Sequence, residues 1–119
     1  MLFDTLRKIV DETPGATGAI LMGFDGIAVM QYLAKGHEKV DIESIAMEFS
    51  FRFIELCNAA RALELGQVSD ITVKAEGGTV LCRVLSEEYF AAVVLHDAGH
   101  FGKGRWLLRQ NAESLVTEL

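Results

Sequence analysis

One proline, two cysteines without CxxC spacing and no long apolar run remove several classes of protein at the outset. With a single proline and half of the residues hydrophobic, the chain lacks the composition of a disordered segment. Cys57 and Cys82 sit inside apolar patterns, so they read as reduced core thiols rather than as a disulfide framework or a metal knuckle. The longest apolar run, Tyr89 to Leu95, has the length of a strand and falls far below the ~20 residues of a membrane span. Asp4 interrupts the apolar start at Met1, Leu2 and Phe3, so no signal peptide is expected and the chain is placed in the cytoplasm. Basic residues are too few for the acidic ones: the net charge of −6 argues against a nucleic-acid groove or an anionic membrane surface as the main partner. The tightest basic groups are Arg7-Lys8 and Lys103, Arg105 and Arg109.

What remains is patterned throughout. Leu2, Phe3, Leu6, Ile9 and Val10 recur at helical spacing, and Pro14-Gly15 ends that helix. Apolar runs 16–22 and 27–33 flank Gly23-Phe24-Asp25-Gly26, a hairpin signal. A polar loop leads to Asp41, the N-cap of a long helix that runs to about Leu65, with Gly66 expected to stop it. Strands are predicted over 67–75, 79–85 and 89–96. A glycine-punctuated loop over 97–104 and a helix over 105–119 follow. The expected architecture is α+β, one domain spanning 1–119. Its five-stranded antiparallel sheet has the long helix on one face and the terminal helices on the other. Strand 67–75 is expected at an edge, where unpaired backbone groups form an association surface.

The long helix is apolar on two sides. At about 100° per residue, Ile42, Ile45, Ala46, Phe49, Phe53, Leu56, Cys57 and Ala60 form one broad stripe. Met47, Phe51, Ile54 and Leu65 gather nearly opposite, with Glu48, Arg52 and Glu55 as a charged wedge between. A surface helix needs one apolar stripe; the second requires a cover, either another copy of the chain or a partner. Met47, Phe51, Ile54 and Asn58, with Asp70, Ile71, Thr72 and Val73 of the edge strand, are the candidate interface.

No catalytic constellation emerges. Gly99-His100-Phe101-Gly102-Lys103-Gly104 fails as a Walker A loop, because Asp97 and Gly104 stand where Gly and Ser or Thr are needed. An anion-binding nest at the start of the last helix is the residual possibility. His96 and His100 have zinc-like spacing, but they straddle a strand end and a loop, lack the HExxH glutamate and need a third ligand such as Asp97. They read as loop histidines. No nucleophile elbow is present, and the carboxylate pairs Glu43/Glu48, Glu87/Glu88 and Asp11/Glu12 read as solvated faces, so no cofactor, metal site or enzymatic activity is expected.

Pro14-Gly15-Ala16-Thr17-Gly18-Ala19 leading to Asp25-Gly26 resembles the opening of the Roadblock (dynein light chain) family. The order of elements matches that family's layout, and Gly104-Arg105-Trp106-Leu107-Leu108-Arg109 is similar to its closing segment. The resemblance spans the chain and implies a Roadblock/longin-like fold without catalysis. It also implies dimers that continue the sheet across the third strand and pair their long helices. The partner it implies is a Ras-like small GTPase or its scaffold. In the bacterial gliding-motility type, hydrolysis is promoted by repositioning the GTPase's own groups, without an arginine finger from the Roadblock chain. This chain is shorter at both ends than that type, so functions lodged in tails are not expected. Glu48, Arg52 and Glu55 are the candidate GTPase contacts. The glycines read structurally, Gly18 as a close approach or bulge and Gly26 as a turn residue. The other functional reading is a small-molecule sensor of similar build, holding its ligand between the sheet and Phe101 or Trp106.

Overall fold

The computed structural model describes residues 1–96 and 99–119. The expectations that fell on Asp97 and Ala98, including Asp97 as a metal ligand, lie outside the described residues. Along the chain run α1 (Leu2–Asp11), β1 (Ala16–Gly23), β2 (Ala28–Leu33), α2 (Ile42–Ala62), β3 (Asp70–Ala75), β4 (Gly78–Val84), β5 (Tyr89–Leu95) and α3 (Phe101–Thr117). The strands form one antiparallel sheet in the order β2-β1-β5-β4-β3, which leaves β3 at an edge as expected.

Each face of the sheet carries its own core. Leu6, Ile9, Leu107, Leu108 and Leu115 of the terminal helices pack on Leu21, Leu81, Val93 and Leu95. On the other face, Ile42, Ala46 and Phe53 of α2 pack on Ile20, Met22, Cys82, Phe90 and Ala92. Strand β1 is buried along its whole length because it lies between β2 and β5 and under helices on both sides. Its unbroken apolar run needs no alternation.

Local chemistry sets the boundaries. Asp41 caps α2: its carboxylate accepts hydrogen bonds from the Ser44 amide at 3.1 Å and the Ser44 hydroxyl at 2.8 Å. These two bonds hold the Asp41 carboxyl below its ordinary pKa. Gly18 lies where Ile42 of the first α2 turn descends on β1; a Cβ there would stand 3.0 Å from Ile42 Cδ1 and 2.8 Å from Leu33 Cδ2. The close approach read from the sequence is therefore real, and a register shift between Ala16 and Gly18 accompanies it.

Two boundaries differ from expectation. Helix α2 stops at Leu63, not at Gly66, and Glu64 takes the left-handed conformation with φ +60°. The Leu65 amide donates to the Ala60 carbonyl at 2.8 Å and the Glu64 amide to the Arg61 carbonyl at 3.0 Å, a Schellman closure with a glutamate in the place glycine favours. Leu65 is thus outside the helix. Helix α3 begins at Phe101, so Gly102 and Gly104 are helical rather than loop residues. Gly104 is buried against α1's exit: a Cβ there would stand 2.7 Å from Leu81 Cδ1 and 3.2 Å from Thr13 Cγ2. Helix-to-sheet proximity, which sequence pattern does not report, overrides the glycine's low helix propensity.

Candidate functional site

The surfaces that the sequence singled out lie on α2 and on the β3 edge, and the structure assigns them to separate places. Ser50 stands on the buried line of α2 with Ile42, Ala46, Phe53 and Cys57, its hydroxyl donating to the Met47 carbonyl at 2.7 Å. Ile54, expected on the second stripe, is half-buried against the sheet. Leu56, expected in the core, is 50% exposed. The buried line is thus rotated relative to the apolar count: helix α2 crosses β1 and β2 most closely, so the wheel position that faces the sheet is decided by that crossing.

Two apolar flanks result. Met47 and Phe51 remain exposed at 42% and 53% and, with Ser44, Glu48 and Arg52, line a shallow depression of about 390 Å³. Met47 lies beside Gly26 of the β1–β2 turn, where a Cβ would meet Met47 Cγ at 3.4 Å. Gly26 has φ +87° and is followed by the exposed Ile27, whose amide donates to the Asp25 carboxylate at 3.1 Å. At about 100° per residue, Leu56 is half a turn from Met47, on the opposite flank of the helix. Phe49 is on that same flank, half-buried and stacked on Phe53 with centroids 5.5 Å apart.

The charged wedge stays in solvent. Arg52 donates to the Glu48 carbonyl at 2.9 Å and to its carboxylate at 3.3 Å, while Glu55 is exposed. Asn58, also exposed, accepts from Arg61 at 3.0 Å.

On β3, the Val84 amide donates to the Ser69 carbonyl at 2.9 Å. By antiparallel alternation, Ile71, Val73 and Ala75 bond inward to β4, and Asp70, Thr72 and Lys74 direct their N–H and C=O groups outward. The side chains alternate too. Ile71 and Val73 face the α2 layer, half-buried, whereas Asp70 meets α3, where Arg105 donates to its carboxylate at 2.8 and 3.2 Å. Partial burial alone would raise the Asp70 pKa; the hydrogen bonds from Arg105 and Ser69 and the charges of Arg105 and Arg83 outweigh it and lower the value.

The loop chemistry resolves into structure. His100 is the N-cap of α3, its Nδ1 accepting from the Lys103 amide at 3.2 Å, which occupies a donor that an anion nest would need. His96 stacks on His37 with centroids 6.3 Å apart. Among the described residues no group of three or more His, Cys, Asp or Glu side chains is arranged to hold a metal ion, and no helix is long and apolar enough to cross a membrane. Trp106 lines an open cleft on the α3 side with Asp70, Arg83, Arg105 and Arg109; Phe101 takes no part in it and packs on the core beneath Lys74. Arg83 is the member that sequence reading missed, because β4 delivers it to the Arg105 and Arg109 pair of α3.

No model of a known protein family matches the chain, and no curated protein does. Solved structures do. MglC from Myxococcus xanthus is 35% identical, with 100% of each chain covered and a TM-score of 0.72. A Roadblock/LC7 domain from Streptomyces avermitilis is 14% identical, over 96% of this chain and 93% of that one, with a TM-score of 0.82. The gliding protein MglB from Thermus thermophilus is 17% identical, over 96% of this chain and 84% of that one, with a TM-score of 0.84. The last two likenesses are of fold; the first is of sequence and fold together.

Proposed function

The chain belongs to the Roadblock/LC7 family, and from that premise we propose that it is a homodimeric regulator or scaffold for a Ras-like small GTPase in the bacterial cytoplasm. Residues 1–119 act as one domain with no catalytic residue of its own, activating or tethering the GTPase. The observation that carries this reading is an open β3 edge together with large apolar side chains left exposed on α2.

Two copies join through β3. The outward backbone groups belong to Asp70, Thr72 and Lys74, so these residues must form the hydrogen-bonded pairs of a continued sheet. Placing Thr72 on the twofold axis sets Asp70 opposite Lys74 of the partner subunit, twice. Shifts that put Asp70 opposite itself, Lys74 opposite itself or Asp70 opposite Glu76 all juxtapose like charges. Ile71 and Val73 then extend the apolar face toward the partner, where Leu56 and Phe49 meet their counterparts. The other flank of α2, with Met47, Phe51, Ile54 and Asn58, remains for the GTPase, and Glu48, Arg52 and Glu55 border it. The similarity to MglC and to a gliding protein supports the assignment to a GTPase pathway.

The test is a Thr72→Cys variant. Hydrogen-bonded antiparallel partners have Cα atoms about 5.5 Å apart, within the range of a disulfide. Cys57 and Cys82 are buried and give little background. Mild oxidation should link the variant into a dimer, and failure to do so in a protein that is dimeric by light scattering would refute the register. For the second half of the proposal, a purified Ras-like GTPase loaded with a GTP analogue should co-elute with the chain and lose it on Phe51→Glu. Equal behaviour of wild type and variant would refute that surface.

A further inference from the structure

Five of the chain's eleven basic residues converge on the α3 side of β3 and β4, on a protein whose net charge is −6. Lys74 lies over the Phe101 ring at 4.6 Å and Lys103 over the Trp106 ring at 5.6 Å. On the same side a cleft of about 340 Å³ is lined by Arg83, Arg105, Arg109, Trp106 and Asp70. Asp70 neutralises Arg105. Among the described residues no carboxylate lies within salt-bridge distance of Arg83 or Arg109, and the Nε–H of Arg83 is buried with no hydrogen-bond partner. Arg83 and Arg109 therefore bring to the cleft two guanidinium groups with no carboxylate among the described residues paired to them, and such charged forks suit carboxylate acceptors.

We propose that this cleft binds a carboxylate-rich segment of a partner protein. It is a second docking surface, on the opposite layer from Met47 and Phe51 and independent of the GTPase reading. The geometry favours an extended acidic peptide over a compact phosphate. The arginines are spread across β4 and successive turns of α3 instead of converging with backbone amides on one point. The Lys103 amide at the helix start is already taken by His100. Each guanidinium fork matches a carboxylate in two-point geometry, and the half-exposed indole of Trp106 offers an apolar face beside them.

Trp106 is the chain's single tryptophan, so binding reports itself. A fluorescein-labelled hexaglutamate peptide is titrated into the full chain, following its anisotropy and the Trp106 emission. Saturable binding that weakens with added salt is expected. Arg83→Met with Arg109→Gln should lower the affinity by at least about tenfold, the loss of two charge-assisted hydrogen-bonding groups. Arg109→Gln alone, at an exposed position that the fold does not depend on, should lower it by a few-fold at least, on the order of one such contact. Arg7→Gln with Lys8→Gln removes the same charge on α1 and should leave the affinity unchanged. Equal losses in the α1 control, or unsaturable binding, would overturn the site. Displacement of the peptide by inorganic phosphate or oligothymidylate at lower concentration than by unlabelled peptide would overturn the ligand class.

Discussion

Three glutamate substitutions on α2, at Phe53, Leu56 and Phe51, should produce three different proteins. Phe53 is 1% exposed and packs edge-on against Phe90, with centroids 5.5 Å apart. Truncating such a phenylalanine costs about 3–5 kcal/mol, and burying an unpaired carboxylate adds several kcal/mol more. The sum is comparable with the roughly 5–15 kcal/mol of a typical domain, so Phe53→Glu should be largely unfolded. Leu56 has half of its surface still to bury. At about 1.5–3 kcal/mol for full burial, that half is worth roughly 0.8–1.5 kcal/mol per copy. A glutamate there leaves the monomer nearly as stable but places two carboxylates together across the twofold axis. A loss of 3 kcal/mol or more weakens a dimer by over a hundredfold, at about 1.4 kcal/mol per decade. Leu56→Glu should therefore be a folded monomer. Phe51, with a similar exposed fraction but on the other flank, should yield a folded dimer that no longer captures its GTPase. Far-UV circular dichroism with thermal melts, and sedimentation equilibrium over a wide concentration range, separate the three outcomes. A monomeric Phe51→Glu beside a dimeric Leu56→Glu would refute the assignment of the flanks. Unfolding of all three would show that neither flank is free surface.

Further outcomes follow from local geometry. Asp70→Asn should cost about 0.5–1 kcal/mol at neutral pH, the worth of a partly exposed ion pair. The folded-state pKa of Asp70 is depressed, so the unfolded chain binds its proton first as pH falls. The wild-type advantage should be present above the ordinary carboxylate range and vanish as pH falls through the folded value, as denaturant melts across acidic pH would show. Glu64→Gly should stabilise the chain by roughly 0.5–1 kcal/mol, since Glu64 holds φ +60° in the helix closure; a lower melting temperature would count against the Schellman geometry. Burial pushes the Cys82 thiol pKa up strongly and the Cys57 thiol up as well. Both should resist iodoacetamide at mildly alkaline pH until denaturant is added, because the thiolate is the reacting form; fast native labelling of Cys82 by mass spectrometry would contradict the core packing.

The order of helices and strands, the hairpin turn at Asp25-Gly26, the Asp41 cap and the edge position of β3 were all legible in the chain, because each rests on local periodicity or on a residue's own backbone preference. So was the existence of surplus apolar surface on α2. Its division was not. The direction in which α2 crosses the sheet decides which wheel positions are buried, and that direction follows from contacts with β1 and β2 far away in sequence. Hence Ser50 is inside, Leu56 is outside, and Met47 and Leu56 serve opposite flanks. The same holds for Gly104, where a side chain would collide with Leu81 and Thr13, and for the arginine cleft. Arg105 and Arg109 share a helix face by their spacing, but Arg83 joins them only because β4 runs beneath α3. Sequence periodicity reports what one element presents; which elements meet, and at what angle, is settled by the packing of all of them together.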